Sequence, residues 1–402
     1  MTSLPMTRMT SLPPLTTWLV VWACMAWLVC GGGAPGELVL VQTTTRHGDR
    51  TPISAIHSSP AEWVCHAHTA VLPMAARTAT LPQVTRVYSH LWVGGRESLR
   101  GNCSAGQLTN IGQEEQLELG ETLRSRYVGS LLPLQLEEET LYIRASNVPR
   151  CLMSAEMLLN GLYPPSKENP SGTSVLPIYT IEKDLDPMTI NEKLCPGIAV
   201  NVLDVLAKNK SLAEDIVFDL APFVHEYDRA LNTSDPIQAL VDYDNINCRA
   251  KHGLPLPGSP PMSNDAYHAL YLAWNKVGIA LFNGSAFGLG PFFQTLLDNM
   301  HAVFSGTKPM PKFMLFSGHD TSVGPLLAAL DVFDGIWPPY ASHVSLELYT
   351  NSSSSSAFVR TLYQDAVVVL PGCTEFCPFS TFSEILSRSI PSNYAEACKV
   401  HL

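Results

Sequence analysis

The chain is short of positive charge: 25 Lys and Arg stand against 36 Asp and Glu in 402 residues, a formal net charge of −11 at pH 7. So acidic a protein does not build the basic stripe that tracks nucleic-acid phosphates, nor does it seek an anionic membrane surface. No nucleic-acid partner is expected. Long apolar runs are nearly absent too. The one present, "WLVVWACMAWLVC" at Trp18–Cys30, has 13 residues, whereas a bilayer span needs about 20. Arg8 is the only charged residue before Glu37, and the run gives way to small residues in "GGGAPG". Residues 1–36 therefore read as a secretory leader cleaved near Ala34–Gly36. "MTSLP" at Met1–Pro5 recurs at Met9–Pro13, so Met9 is a second candidate start. Loss of the leader removes Arg8 and takes the net charge from −11 to −12. The mature chain is expected to keep no stable membrane span. Repeats beyond the leader are missing, and low complexity is confined to "NSSSSS" at Asn351–Ser356, which reads as a hairpin loop.

What is present agrees with export. Ten cysteines include Cys24 and Cys30 in the leader, leaving Cys65, Cys103, Cys151, Cys195, Cys248, Cys373, Cys377 and Cys398. An even number in a secreted chain reads as disulfides. Cys373 and Cys377, in "GCTEFCPF", are the local pair to propose, while four bridges in all allow about 105 connectivities. Glycosylation sequons begin at Asn102, Asn209, Asn232, Asn283 and Asn351. "CHAH" at Cys65–His68 has metal-ligand spacing but lacks a partner motif, so it reads as a loop and no metal site is expected. Together these features predict a secreted or endo-lysosomal protein.

Three segments share one layout, an apolar strand that delivers charged residues and then a helix or loop. Leu38–Gln42 leads into "TTTRHGDR". Leu141–Ile143 delivers Arg144 ahead of a helix from about Pro149. Phe313–Phe316 delivers His319 and Asp320 ahead of a helix carrying Leu326, Leu327 and Leu330. "QLTNIGQEEQLELGETLRSRY" (Gln107–Tyr127) is a further helix. Strands alternating with helices predict an α/β fold, a three-layer sandwich around a mostly parallel sheet. Ligands of such sheets bind beyond the C-terminal strand ends. Residues 161–291, richer in helical pattern, read as a mainly helical cap inserted in a core of residues 37–160 and 292–402.

The charged residues at those strand ends suit a phosphomonoester. Arginine forks match phosphate oxygens, and Arg46, Arg50 and Arg144 supply such a cradle. His47, between two arginines, is the candidate nucleophile, because neighbouring cations favour its neutral form. Gly48 is expected to bring the backbone close to the phosphate. Asp320 is the candidate general acid, its pKa raised by a bound anion, and His319 donates a further hydrogen bond. Asp49 is expected to orient the loop or cap a helix, and Arg150 to be a helix-surface or salt-bridge residue more than a phosphate ligand.

"RHGDRTP" followed by a distant "SGHD" resembles the histidine acid phosphatases, the branch with prostatic and lysosomal acid phosphatases. The resemblance runs from about Leu38 to Glu384 through "GQLTNIG", "LGETLRSRY", "YIRASNVPRCLMSAEMLL", "WPPYAS" and "GCTEFCPF". It implies hydrolysis of phosphate monoesters through a phosphohistidine, no cofactor, the same roles at His47, Asp320, Arg46, Arg50, Arg144 and His319, and homodimerisation. One departure stands out. Relatives read Arg-Ser-Thr-Asp-x-Asp-Arg where this chain has "RASNVPR", so Ala145, Asn147 and Pro149 replace residues expected to brace that loop. Rival readings are a phosphatase dedicated to a phospho-sugar, lysophospholipid or inositol phosphate, an inactive phosphate-binding relative, and a structural or adhesive glycoprotein. A polyanionic substrate wants a basic rim, which the acidic composition argues against.

Overall fold

The β-formers from Glu37 onward build the middle of a sheet. A computed structural model describes residues 34–65, 95–164, 176–307, 309–351 and 353–400. Residues 1–33 of the expected leader, and His66 and His68 of "CHAH", lie outside the described residues.

The strands are β1 (Glu37–Arg46), β2 (Leu141–Ala145), β3 (Ile178–Tyr179), β4 (Phe313–Gly318), β5 (His343–Asn351), β6 (Ser356–Tyr363), β7 (Ala366–Val368) and β8 (Cys377–Pro378). They lie in the order β3-β2-β4-β1-β5-β6-β7, with β8 on β6. The expected three layers form, but the sheet is mixed. From β3 to β1 the pairings are parallel, and from β1 outward they are antiparallel. The reason is local: β5 and β6 join through the serine-rich loop as a hairpin, with Asn351 opposite Ser356, and a tight turn can only return antiparallel.

Alternation sorts the strand side chains to two faces. Leu40, Met314 and Phe316 face one apolar cluster, Val41, Phe313 and Leu315 another. Helices α1 (Asn110–Tyr127) and α2 (Pro149–Leu162) cover the second. They cross closely, since a Cβ on Gly120 would run into the Leu158 carbonyl and one on Gly161 into that of Leu117. Between β3 and β4 run α3 (Gly197–Lys208), α4 (Lys210–Leu220), α5 (Val224–Leu231), α6 (Pro236–Val241), α7 (Tyr243–Lys251), α8 (Asn264–Ser285) and α9 (Gly290–Ser305). Most of these gather on a separate apolar cluster around Tyr227, Leu240, Leu270 and Ala273. α9 instead joins α10 (Asp320–Ala329) and α11 (Phe379–Ser387) on the first face of the sheet. A last short helix is α12 (Tyr394–Ala397).

Disulfides join Cys65 to Cys103, Cys195 to Cys398 and Cys373 to Cys377, the local pair included. The fourth bridge does not form. Cys151 and Cys248 are free and buried. Cys151 Sγ donates to the Gly318 carbonyl at 3.2 Å, and Cys248 Sγ lies 3.5 Å from the Tyr340 hydroxyl. Of the sequon asparagines, Asn102, Asn209, Asn232 and Asn283 are exposed and Asn351 half-buried.

Candidate active site

Register explains why the charged motifs meet. Arg46 pairs with Gly318 and Thr45 with Ser317, while Ala145 also pairs with Ser317. The next residues along each strand, His47, Ser146 and His319, therefore emerge side by side at the carboxyl edge. There a cleft of about 1040 Å³ is lined by Arg46, His47, Arg50, Arg150, His319 and Asp320, with Trp274, Trp337 and Tyr340 on its wall.

The loop after β1 is pinned at nearly every peptide. Arg46 N–H donates to Ser342 and His47 N–H to Gly318, at 2.8 and 3.0 Å. Gln116 Nε2 donates to the Arg46 carbonyl, Gly48 N–H to Ser154 Oγ, and Asp49 N–H to Glu115. A Cβ on Gly48 would collide with the Gly112 carbonyl, so the glycine lets the first turn of α1 close on the loop. Asp49 orients the loop. Its carboxylate accepts from Thr109, the N-cap of α1, at 2.5 Å and from His252 Nε2 at 2.7 Å.

This scaffold fixes the imidazole. His47 Nδ1–H donates to the Gly48 carbonyl at 2.8 Å, which leaves the Nε2 lone pair free. Burial, and then the charges of Arg150 and Arg46, push the His47 pKa well below its ordinary value, so the ring stays neutral in acid. His319, edge-on to it at 5.4 Å between centroids, is held neutral by burial and by Arg150, its pKa lowered to about 3.

The carboxylate is engaged. Asp320 Oδ2 accepts from Trp337 Nε1 at 2.9 Å and pairs with Arg46 Nη2 at 2.9 Å, and Oδ1 accepts from Thr321 N. Burial would raise its pKa, but Arg46 and the Trp337 indole outweigh burial and hold it at about 2. Arg50 is likewise committed, to Asp244 of α7, and Arg46 lies over the Tyr340 ring at 4.1 Å.

The third arginine is not the expected one. Arg144 pairs with Phe316, two rows short of the level where Arg46 meets Gly318, or roughly 6–7 Å back along the strands. There it bonds to Asp186 at 2.5 Å and does not line the cleft. Arg150, read from sequence as a helix-surface or salt-bridge residue ahead of a phosphate ligand, lines the cleft, with Nη2 3.5 Å from His319 Nδ1. The altered "RASNVPR" loop is braced all the same. Ser146 N–H donates to Ser317 and its hydroxyl to Asp186, and Pro149 takes the first helical position, where its missing N–H costs nothing. Among the described residues, Nε of Arg46, Arg50 and Arg150 is buried without a partner. Arg144 Nε is unpartnered too, but away from the cleft. Buried N–H groups on the wall of a cleft call for an anion that enters it.

A neutral imidazole among guanidinium groups at the carboxyl edge of parallel strands is the arrangement of an enzyme that handles phosphate esters. The profile of the histidine phosphatase superfamily (branch 2) matches residues 37–364, and the chain belongs to that family. Counting factor 60 of Dictyostelium discoideum is 30% identical over 90% of this chain and 88% of its own length. The human lysophosphatidic acid phosphatase type 6 is 29% identical, covering 90% and 86%, and the mouse prostatic acid phosphatase 28%, covering 91% and 90%. The apo form of a Hafnia alvei phytase shares the fold with a TM-score of 0.61 at 16% identity, over 92% of this chain and 100% of that one. The chain is accordingly an acid phosphatase, a phosphoric monoester hydrolase.

Proposed function

We propose that the chain hydrolyses phosphate monoesters through a phosphohistidine on His47, with Asp320 as proton donor. The observation that carries this is the Nδ1–H bond of His47 to Gly48, which leaves a neutral Nε2 facing a cradle of arginines with unpartnered Nε–H groups. In the first step Nε2 attacks phosphorus, the P–N bond forms, the P–O ester bond breaks, and the leaving oxygen takes the proton of Asp320. In the second, Asp320 accepts a proton from water as its oxygen attacks phosphorus, releasing phosphate and free His47. Arg46, Arg50, Arg150 and His319 stabilise charge on the transferring oxygens. Asp320 is ionised in the free site, so its proton arrives with the substrate. A monoanionic ester brings one, and a dianion that takes over Arg46 raises the carboxyl pKa until it binds one. Arg144 then acts behind the site, holding Asp186 and through it Ser146.

The rim supports a finer reading. Ile53, Val241 and Ile336 line the cleft yet are 57%, 64% and 50% exposed. Exposed branched apolar residues beside Trp274 and Trp337 favour a leaving group with an apolar body over a sugar. A lysophospholipid of the kind in the name of the human relative fits that surface. The three disulfides suit an extracellular or lumenal protein. The exposed sequon asparagines support glycosylation, and secretion or endo-lysosomal delivery is the finer reading.

The test is hydrolysis of an aryl phosphate from acid to neutral pH, with and without a chelator, beside His47→Ala. Chelator-resistant activity at acid pH, and a phosphoenzyme trapped in the wild type alone, are expected. Undiminished activity in His47→Ala overturns the reading. The leaving-group reading predicts a higher kcat/KM for a long-chain lysophosphatidate than for glycerol phosphate.

A further inference from the structure

Two of the arginines beside His47 each carry a carboxylate. Arg46 has Asp320, which the mechanism uses. Arg50 has Asp244, which the mechanism leaves idle. The Arg50 pair is a fork on a fork: Nη1 donates to Oδ2 at 3.1 Å and Nη2 to Oδ1 at 2.8 Å. Nη1 also donates to the Thr51 carbonyl at 3.1 Å, which leaves buried Nε and one Nη2 hydrogen free for a ligand.

Asp244 is itself firmly held. It lies in the first turn of α7, where the helix dipole favours an anion. Its Oδ2 also accepts from Ile53 N–H at 2.9 Å, and although burial pushes its pKa up, the charge and hydrogen bonds of Arg50, with the Ile53 N–H, together lower it. The far end of the same helix reaches the same loop, through His252 on Asp49. The carboxylate is thus a fixed negative charge, one guanidinium away from the phosphate position.

We propose that Asp244 is a specificity-determining counter-anion, which limits the negative charge the cradle accepts and so selects esters of a single phosphate and speeds release of inorganic phosphate. The inference rests on the phosphatase reading above. Arg46 and Arg50, the cleft arginines that hold carboxylates, keep Asp320 and Asp244 ionised in the free site. A phosphate that takes over Arg46 lets Asp320 take up a proton, whereas Asp244 keeps its charge and opposes each negative charge the phosphate brings. A polyphosphorylated ester adds further anions beside a carboxylate that cannot move away.

The experiment is calorimetric titration of the intact protein with inorganic phosphate at one acid pH, for the wild type, Asp244→Asn, Asp244→Ser and Asp244→Glu. Loss of one screened negative charge beyond Arg50 predicts about tenfold tighter phosphate binding in the Asn and Ser variants. The Glu variant, which keeps the charge, stays within a few-fold of wild type. In turnover of an aryl phosphate, KM falls with kcat in the Asn variant, because product leaves more slowly, and discrimination against a bisphosphorylated sugar narrows. Two neutral variants of different size keep the test decisive if one fails to fold. A role confined to fastening α7 to the loop predicts lower melting temperatures and phosphate binding that is unchanged or weaker, and that result overturns the proposal. A wild type that binds phosphate but hydrolyses nothing sinks the proposed function, while the Asp244 assignment still stands or falls on the titration.

Discussion

The reassigned arginine allows a double dissociation. Arg150→Ala removes a guanidinium from the cleft wall, along with the largest charge acting on His47. A charge-assisted hydrogen bond to phosphate contributes about 1.5–3 kcal/mol, so two of them predict a loss in kcat/KM of roughly 100-fold or more. Because Arg150 helps to depress the His47 pKa, its removal also moves the acid limb of the pH profile upward. Arg144→Ala has the opposite signature. It leaves Asp186, whose side chain is 2% exposed, without its cation. Breaking a buried pair costs about 3–5 kcal/mol, so the melting temperature falls, yet folded protein keeps kcat/KM within a few-fold. Arg144→Met with Asp186→Asn removes the uncompensated charge and keeps an oxygen for Ser146 and Met188 N–H, so part of that stability returns. Steady-state kinetics on an aryl phosphate, with thermal melts, decide the matter. The reasoning is refuted if the folded double variant loses 100-fold while Arg150→Ala stays within a few-fold of wild type.

Three further outcomes follow from the same geometry. Asp320→Asn should lower kcat about 10²–10⁴-fold for an alkyl phosphate and far less for a nitrophenyl ester, whose oxygen leaves without a proton; equal losses would remove Asp320 from the donor role. His319 stays neutral when folded down to about pH 3 but gains a proton near pH 6.5 when unfolded, so stability drops as pH falls from 6.5 toward 3. At about pH 4.5 the cost is about 2–3 kcal/mol, and the gap between melting temperatures at pH 7 and pH 4.5 should narrow in His319→Asn. Asp320 acts in the same direction over a lower window, its stabilisation being lost as pH falls from 3.8 through about 2. Last, the Cys195–Cys398 bridge closes a separation of 203 residues, and its replacement by two alanines should cost about 2–5 kcal/mol in denaturant unfolding.

How far the sequence could be read depends on whether the determinant is local. Strands ending in charge, the helix of "QLTNIGQEEQLELGETLRSRY" and the serine-loop hairpin are local patterns, and the structure has each of them. The strand ends came out too short, since Thr43–Arg46 and Ser317–Gly318 are drawn into the sheet by parallel pairing that no window of sequence displays. The same blindness misplaced the third arginine. Arg144 and Arg46 look equivalent because each ends a strand, but only register reveals that Arg144 stops two rows short while the first turn of α2 carries Arg150 back to the edge. Loop length held the available clue: five residues lie between the two arginines of "RASNVPR", enough to leave a strand and begin a helix at Pro149.

The carboxylates were harder still. Asp244 meets Arg50 across 194 residues and Asp186 meets Arg144 across 42, and nothing in the composition of their own segments distinguishes them from other acidic residues on helical or loop surfaces. A cluster of cations at a strand edge is nonetheless incomplete without anions, because buried guanidinium groups repel one another and lose their water. An acidic chain that concentrates arginine at one edge must also send carboxylates there. Those already held by arginine when the site is empty, Asp320 and Asp244, are the ones an incoming phosphate has to contend with. Asp320 can answer by taking up a proton. Asp244, fixed by Arg50, Ile53 and its own helix, has no such exit, and that difference makes one a reagent and the other a filter.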